Sequence, residues 1–105
     1  IVVGDMNDQI AEPPEYNVFQ VFLDKPGEYR FADMPIALAP TYNNVSYPSY
    51  VSHIDHIMVT NELFSALDAA DSVCRVIRVD EYMGNWQNYS DQISDHRPLG
   101  VKLFF

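Results

Sequence analysis

Apolar and polar positions along this chain fall into short blocks rather than long periodic runs. Ile1-Val2-Val3 is a continuous β-branched run closed by Gly4. It reads as a buried strand whose C-terminal end delivers Asp5. Asn7 and Asp8 follow in a turn-prone stretch, and Pro13-Pro14 mark a loop. Tyr16 to Leu23 suits a strand by β-propensity, or a short helix with Phe19, Phe22 and Leu23 on one face; Pro14, two residues ahead, favours the helix. Pro26-Gly27 is a turn. Met34 to Tyr50, rich in Pro, Tyr, Asn and Ser, reads as an irregular loop with a short strand near Ala37.

Ile54 to Thr60 alternates and predicts a strand, and Asn61 is placed to cap a short helix from Glu62 to Ala70. Val73 to Val79 is a second β-branched run, punctuated by Arg75 and Arg78. Asp80 to Ile93 reads as a polar loop, and Pro98 opens a last strand from Leu99 to Phe105, a tolerated place for proline. There is no internal repeat and no clear linker. The order of elements predicts an α/β or α+β class, with strands whose partners lie in part outside this chain.

Composition narrows the class. Of 105 residues, 48% are apolar and 20% charged, a globular balance. Fifteen acidic against six basic side chains give a formal charge of −9. Nucleic-acid binders neutralise phosphates with Lys and Arg, so charge does not support a long nucleic-acid groove. An acidic chain that handles a phosphorylated substrate needs a divalent cation, or charge from elsewhere, to offset repulsion. The single cysteine, Cys74, excludes an intrachain disulfide, and its apolar surroundings suit a core side chain. No apolar run reaches the ~18 residues of a membrane span. Opening directly on a strand, the chain reads as a piece of something longer.

Three polar clusters stand at strand ends: Gly4-Asp5-Met6-Asn7-Asp8, Ile54-Asp55-His56-Ile57 and Ser94-Asp95-His96-Arg97-Pro98. Sheet edges are where such folds build their sites. If the backbone stays extended, Asp5 and Asn7 share a face. The carboxylate can then orient or deprotonate a water that the carboxamide also contacts; the plainer reading is an Asx turn closing a strand. Asp55 in a strand is expensive to bury unpaired. His56 points to the opposite face and suits a structural role, so the expected partner is a histidine from another strand, His96. Asp95 offers an oxygen to a hard cation. Arg97 suits a structural ion pair, and His53, at the strand entrance, has no assigned role.

Together and in this order, the clusters resemble the endonuclease/exonuclease/phosphatase family of metal-dependent phosphohydrolases. Gly4-Asp5-Met6-Asn7 is similar to its Gly-Asp-aromatic-Asn motif, with Met6 in place of the aromatic. Ile54-Asp55-His56-Ile57 is similar to its aspartate-bearing strand, and Ser94-Asp95-His96-Arg97-Pro98 to its terminal Ser-Asp-His-x-Pro motif. The resemblance implies the C-terminal half of a four-layer β-sandwich, with two mixed sheets flanked by helices. It implies that Asp5 acts on the nucleophilic water, that Asn7 helps place it, that Asp55 orients His96 against the scissile phosphate, and that Asp95 lies at or near Mg²⁺ (or Mn²⁺). His53 stands where many members carry a basic residue, and Thr41-Tyr42 resembles a loop near the substrate in some. The principal metal-binding glutamate of the family lies in the N-terminal half, and neither Glu12 nor Glu15 replaces it. The isolated chain is therefore expected to bind metal poorly and to hydrolyse little. The reading is a phosphodiester or phosphomonoester hydrolase in the complete protein; the alternative is a non-catalytic binding module on the same scaffold.

Overall fold

Strand β3, Asp55–Thr60, organises the computed structural model, which describes residues 1–105. Strand β1 (Val2–Asp5) lies antiparallel on one side of it, with Val2 opposite Met58 and Asp5 opposite Asp55. Strand β2 (Tyr29–Phe31) lies antiparallel on the other, with Tyr29 opposite Thr60. Strands β4 (Val73–Val76) and β5 (Leu99–Lys102) form a second antiparallel pair. The class is α+β. Both sheets within this chain are antiparallel rather than mixed.

The period-two alternation of β3 sets the layout. Met58 packs with Ile10 and Phe31, backed by Phe19, Phe22 and Leu23. Ile57 and Val59 face the other way, onto Cys74 of β4 and Leu99 and Val101 of β5, with Leu63, Phe64 and Leu67 alongside. Asp55 therefore points toward the β5 side of the sheet, and His56 away from it. Cys74 is a core residue as expected: burial, then the charge of Asp33, pushes its thiol up to about 12, which leaves it un-ionised at neutral pH.

Several expectations are corrected. β1 forms, but Val2 and Val3 are 53% and 64% exposed, because β1 is an edge strand that no layer of this chain covers. Helix α1 spans only Gln20–Leu23. The buried Asn17 side chain closes the turn before it, donating to the Ile10 carbonyl at 2.9 Å and accepting from the Phe19 N–H at 2.9 Å. The strand expected near Ala37 is helix α2, Met34–Leu38, with Pro35 in its first turn, where a missing N–H costs nothing. Asn61 caps no helix; a 3₁₀ turn (Asn61–Leu63) leads into α3 (Phe64–Leu67), and the Asn61 amide donates to the Gly27 carbonyl instead. The stretch expected as polar loop holds α4 (Val79–Tyr82) and α5 (Trp86–Gln92). β4 stops at Val76, three residues early, as the chain turns into α4. No helix is long and apolar enough to cross a membrane.

Helix α5 begins at a side-chain cap: Asn85 Oδ1 accepts the Asn88 N–H at 2.8 Å. An Asn85→Ala variant is expected to lose about 1 kcal/mol of stability. Thermal melting checks this, and an unchanged midpoint would contradict the role of the cap.

Candidate functional site

Three segments meet at one cleft, whose lining includes Gly4, Asp55, Ser94 and His96. Asp55 stands at the first position of β3 and faces the segment that leads into β5. There His96 Nδ1 meets Asp55 Oδ2 at 2.7 Å. With a carboxylate as acceptor, Nδ1 carries the hydrogen, so the neutral ring keeps its lone pair on Nε2. His96 Nε2 faces Asp5 Oδ2 at 3.9 Å. The register of β1 on β3 places Asp5 and Asp55 side by side. Like charges opposed in this way repel, and an imidazole between them attracts both whenever it carries its second proton.

The surroundings hold both members of the pair. Ser94 Oγ accepts the His96 N–H at 3.0 Å, the Tyr89 hydroxyl donates to the His96 carbonyl at 2.7 Å, and the Tyr47 ring lies against the imidazole at 4.9 Å and 31°. Ser46 Oγ accepts the N–H groups of Ile54 and Asp55, each at 3.2 Å, and the Ser46 carbonyl accepts the Arg97 N–H at 2.8 Å. Arg97 is fully buried and pairs with Asp80 while donating to the Tyr42 carbonyl at 2.6 Å, which makes it the structural ion pair expected of it. Burial raises the Asp80 carboxyl, but the hydrogen bonds and charge of Arg78 and the charge of Arg97 outweigh it and hold it below its usual range.

Asp5 and Asn7 do not share an extended strand face. Asn7 sits at φ 53°, so the chain turns there, and Asp5 Oδ1 accepts the Asn7 N–H at 2.9 Å. The Asx turn weighed above is present, and Asp5 Oδ2 still faces His96. Asn7 is exposed, as is Asp95. Asp95 lies outside the grouping of Asp5, Asp55 and His96, whose ligand-type atoms fall within 4.8 Å of one another. In that grouping the Asp55–His96 hydrogen bond takes up one carboxylate and one ring nitrogen. Hard cations such as Mg²⁺ need near-octahedral oxygen coordination. Asp95, exposed and outside that grouping, offers oxygens of the right kind, but one carboxylate is too few to hold the ion unaided.

Tyr47 and Tyr89 were expected, with Tyr42, Tyr50 and Trp86, to cover the core or to stack on a base or sugar; Tyr89 is buried. Sequence reasoning missed Asp33 and Ser46. Asp33, two positions before Pro35 at a helix start, carried the signal of a helix cap, but its side chain makes no cap hydrogen bond and turns to His53 and His56 instead. Comparison with family models, with curated proteins and with solved structures gives no match.

Proposed function

We propose that this chain carries the phosphate-handling half of a divalent-metal-dependent phosphoesterase site of the endonuclease/exonuclease/phosphatase kind. The observation that carries the reading is the 2.7 Å Asp55–His96 pair with Asp5 Oδ2 3.9 Å from Nε2. These residues come from segments 41 and 50 positions apart, and a carboxylate-held imidazole beside a second carboxylate is the constellation that such hydrolysis needs.

In this mechanism Asp5 orients or deprotonates a water, using the oxygen that is not committed to the Asn7 N–H. Asn7 helps place that water and the phosphoryl group. Asp55 fixes the orientation of His96, and in the doubly protonated ring the Nε2–H of His96 meets the charge that develops on the phosphoryl oxygens. Asp95 would contribute an oxygen at or near the cation. Bound there, Mg²⁺ (or Mn²⁺) would supply Lewis-acid polarisation of a phosphoryl oxygen and offset the repulsion between the acidic chain and the phosphate. The remaining ligands, the principal glutamate among them, come from an N-terminal half of the same domain. The uncovered apolar edge of β1, with Ile1, Val2 and Val3 exposed, suits such a layer. The substrate is a phosphodiester or a phosphomonoester.

A second reading, a binding module without chemistry, draws on one observation: Asp5 Oδ1 is engaged in its own turn. The full-length protein, assayed with a chromogenic phosphodiester and a phosphomonoester in Mg²⁺ and in chelator, beside its Asp5→Ala variant, separates the two. Metal-dependent turnover that disappears in the variant supports the hydrolase, and the preferred ester names the substrate class. A folded protein that neither turns over these esters nor binds Mg²⁺ in calorimetry supports the binding module.

A further inference from the structure

Behind the cleft, on the opposite face of β3, lies a fully buried polar cluster that the proposed chemistry does not use. Asp33 Oδ2 is 3.0 Å from His53 Nε2 and 2.6 Å from His56 Nδ1, and Asp33 Oδ1 accepts the Ile57 N–H at 2.8 Å. All three side chains are at most 1% exposed. Two histidines and a carboxylate are a familiar metal-ligand set, but here hydrogen bonds occupy the ligand atoms. His53 Nδ1 accepts the Ser46 N–H at 3.3 Å, so its proton sits on Nε2 and is donated to Asp33. His56 faces an acceptor at each nitrogen: the Asp33 carboxylate at Nδ1, and the carbonyl of Asp8 at Nε2, 2.8 Å away. A ring between two acceptors is an imidazolium, and it has no lone pair left for a cation.

We infer that Asp33 and His56 are positioning residues: a buried carboxylate–imidazolium pair that clamps the Asp8 carbonyl and so fixes the turn carrying Asp5 and Asn7. The clamp acts where the turn needs it. Asn7 is in the left-handed region at φ 53°, one residue before the clamped carbonyl. Its N–H is held by Asp5 on the other side. The imidazole is walled by the rings of Phe19 and Phe31, each 5.8 Å away, and by His53 at 5.3 Å. The charged groups around it are Asp33 on the α2 side and Asp55 on its own strand. Burial alone would discharge His56; the Asp33 hydrogen bond, the Asp8 carbonyl and the two carboxylate charges outweigh it.

The structural part of this inference stands on hydrogen-bond geometry; its catalytic consequence rests on the hydrolase reading. Two variants of the full-length protein separate the functions of the two ring nitrogens. His56→Asn keeps a donor near the Nδ1 position, toward Asp33, and gives up the Asp8 clamp. His56→Gln keeps a donor near the Nε2 position, toward Asp8. The expected result is that the amide resonances and hydrogen exchange of Asn7, Asp8 and Gln9 change in His56→Asn and stay close to wild type in His56→Gln. Turnover falls through kcat rather than KM in His56→Asn, by on the order of 10²-fold, and is rescued in part by His56→Gln. Turn amides that respond alike in both variants, or in neither, overturn the inference. A wild-type protein without turnover would sink the hydrolase reading and leave the amide comparison to decide this one. Should both variants fail to fold, the wild type decides through its ring nitrogens. The clamp predicts a slowly exchanging Nε2–H, and turn amides that move together with the His56 titration. Amides that stay flat through that titration overturn it.

Discussion

An Asp33→Ala variant is expected to lose about 3–5 kcal/mol of stability, the range for removing one partner of a buried ion pair. Whole domains of this size are stable by only about 5–15 kcal/mol, so the variant sits near the unfolding threshold. The loss follows from what the carboxylate satisfies. Without it, the His53 Nε2–H, the His56 Nδ1–H and the Ile57 N–H all point into a dry cavity with no acceptor. Urea unfolding checks this: the midpoint falls sharply with little change in slope. A loss under about 1 kcal/mol would mean that the pocket admits water, and the buried pair would not be the strut described here.

The same pair gives the fold a pH window. Burial pushes the Asp33 carboxyl up, but the hydrogen bonds from His53, His56 and the Ile57 N–H outweigh it and hold it at about 2, against an ordinary 3.8. A depressed carboxyl contributes stability that is fully present above its ordinary value and is lost as pH falls from there toward about 2, a contribution on the order of 2 kcal/mol. His56 has the opposite sign. Its value is raised above the ordinary 6.5, so its contribution is complete below 6.5 and is lost as pH rises through the raised value. Chemical-denaturation midpoints should therefore peak on the mildly acidic side of neutrality and fall in both directions, and in Asp33→Ala both slopes should flatten.

The second large effect is expected at the cleft. Asp55→Ala in the full-length protein should lower kcat by about 10²–10⁴-fold, the range set by general acid–base groups and by the loss of a carboxylate that orients a histidine. His96→Ala should do at least as much. The two losses should not add: with His96 gone, Asp55 has nothing to orient, so the double variant should match His96→Ala within a few-fold. Multiplied losses would mean that the two residues act separately, and the 2.7 Å contact would then be incidental to turnover.

The parts of this arrangement that were legible in the sequence are those written in local periodicity. The alternation of residues 54–60 predicts which side of β3 each residue takes. It thereby sends Asp55 to a histidine on another segment and turns His56 away, and β5 does follow Pro98. What was not legible has two physical causes. Asp33 meets His53 and His56 across 20 and 23 residues of chain, through side-chain hydrogen bonds that leave no periodic trace. Elements of three to seven residues, such as β2, α4 and α5, are too short for a period to accumulate. Their signals were single residues: the Asn85 cap for α5 and, for α2, Pro35 in the first turn, which a pattern of apolar spacing passes over. The Asx turn, the plainer reading of Asp5 and Asn7, was legible from residue type and spacing, and it forms: Asp5 itself folds the chain back with one hydrogen bond, so the extended face does not arise.

Ser46 touches every segment that builds the Asp55–His96 pair. Its N–H reaches His53, its hydroxyl holds the N–H groups of Ile54 and Asp55, and its carbonyl receives the Arg97 N–H, next to His96. Mechanically this is a crossbar. Both members of the pair are fastened to the same short piece of backbone, so their separation is set by one residue rather than by two independent loops. Asp5 is tied to the same strand from the other side: it stands opposite Asp55 in the β1–β3 ladder, and the Met6 N–H donates to the Ile54 carbonyl at 3.0 Å. The spacing of all three side chains is thus gauged from the first two residues of one strand entrance, Ile54 and Asp55.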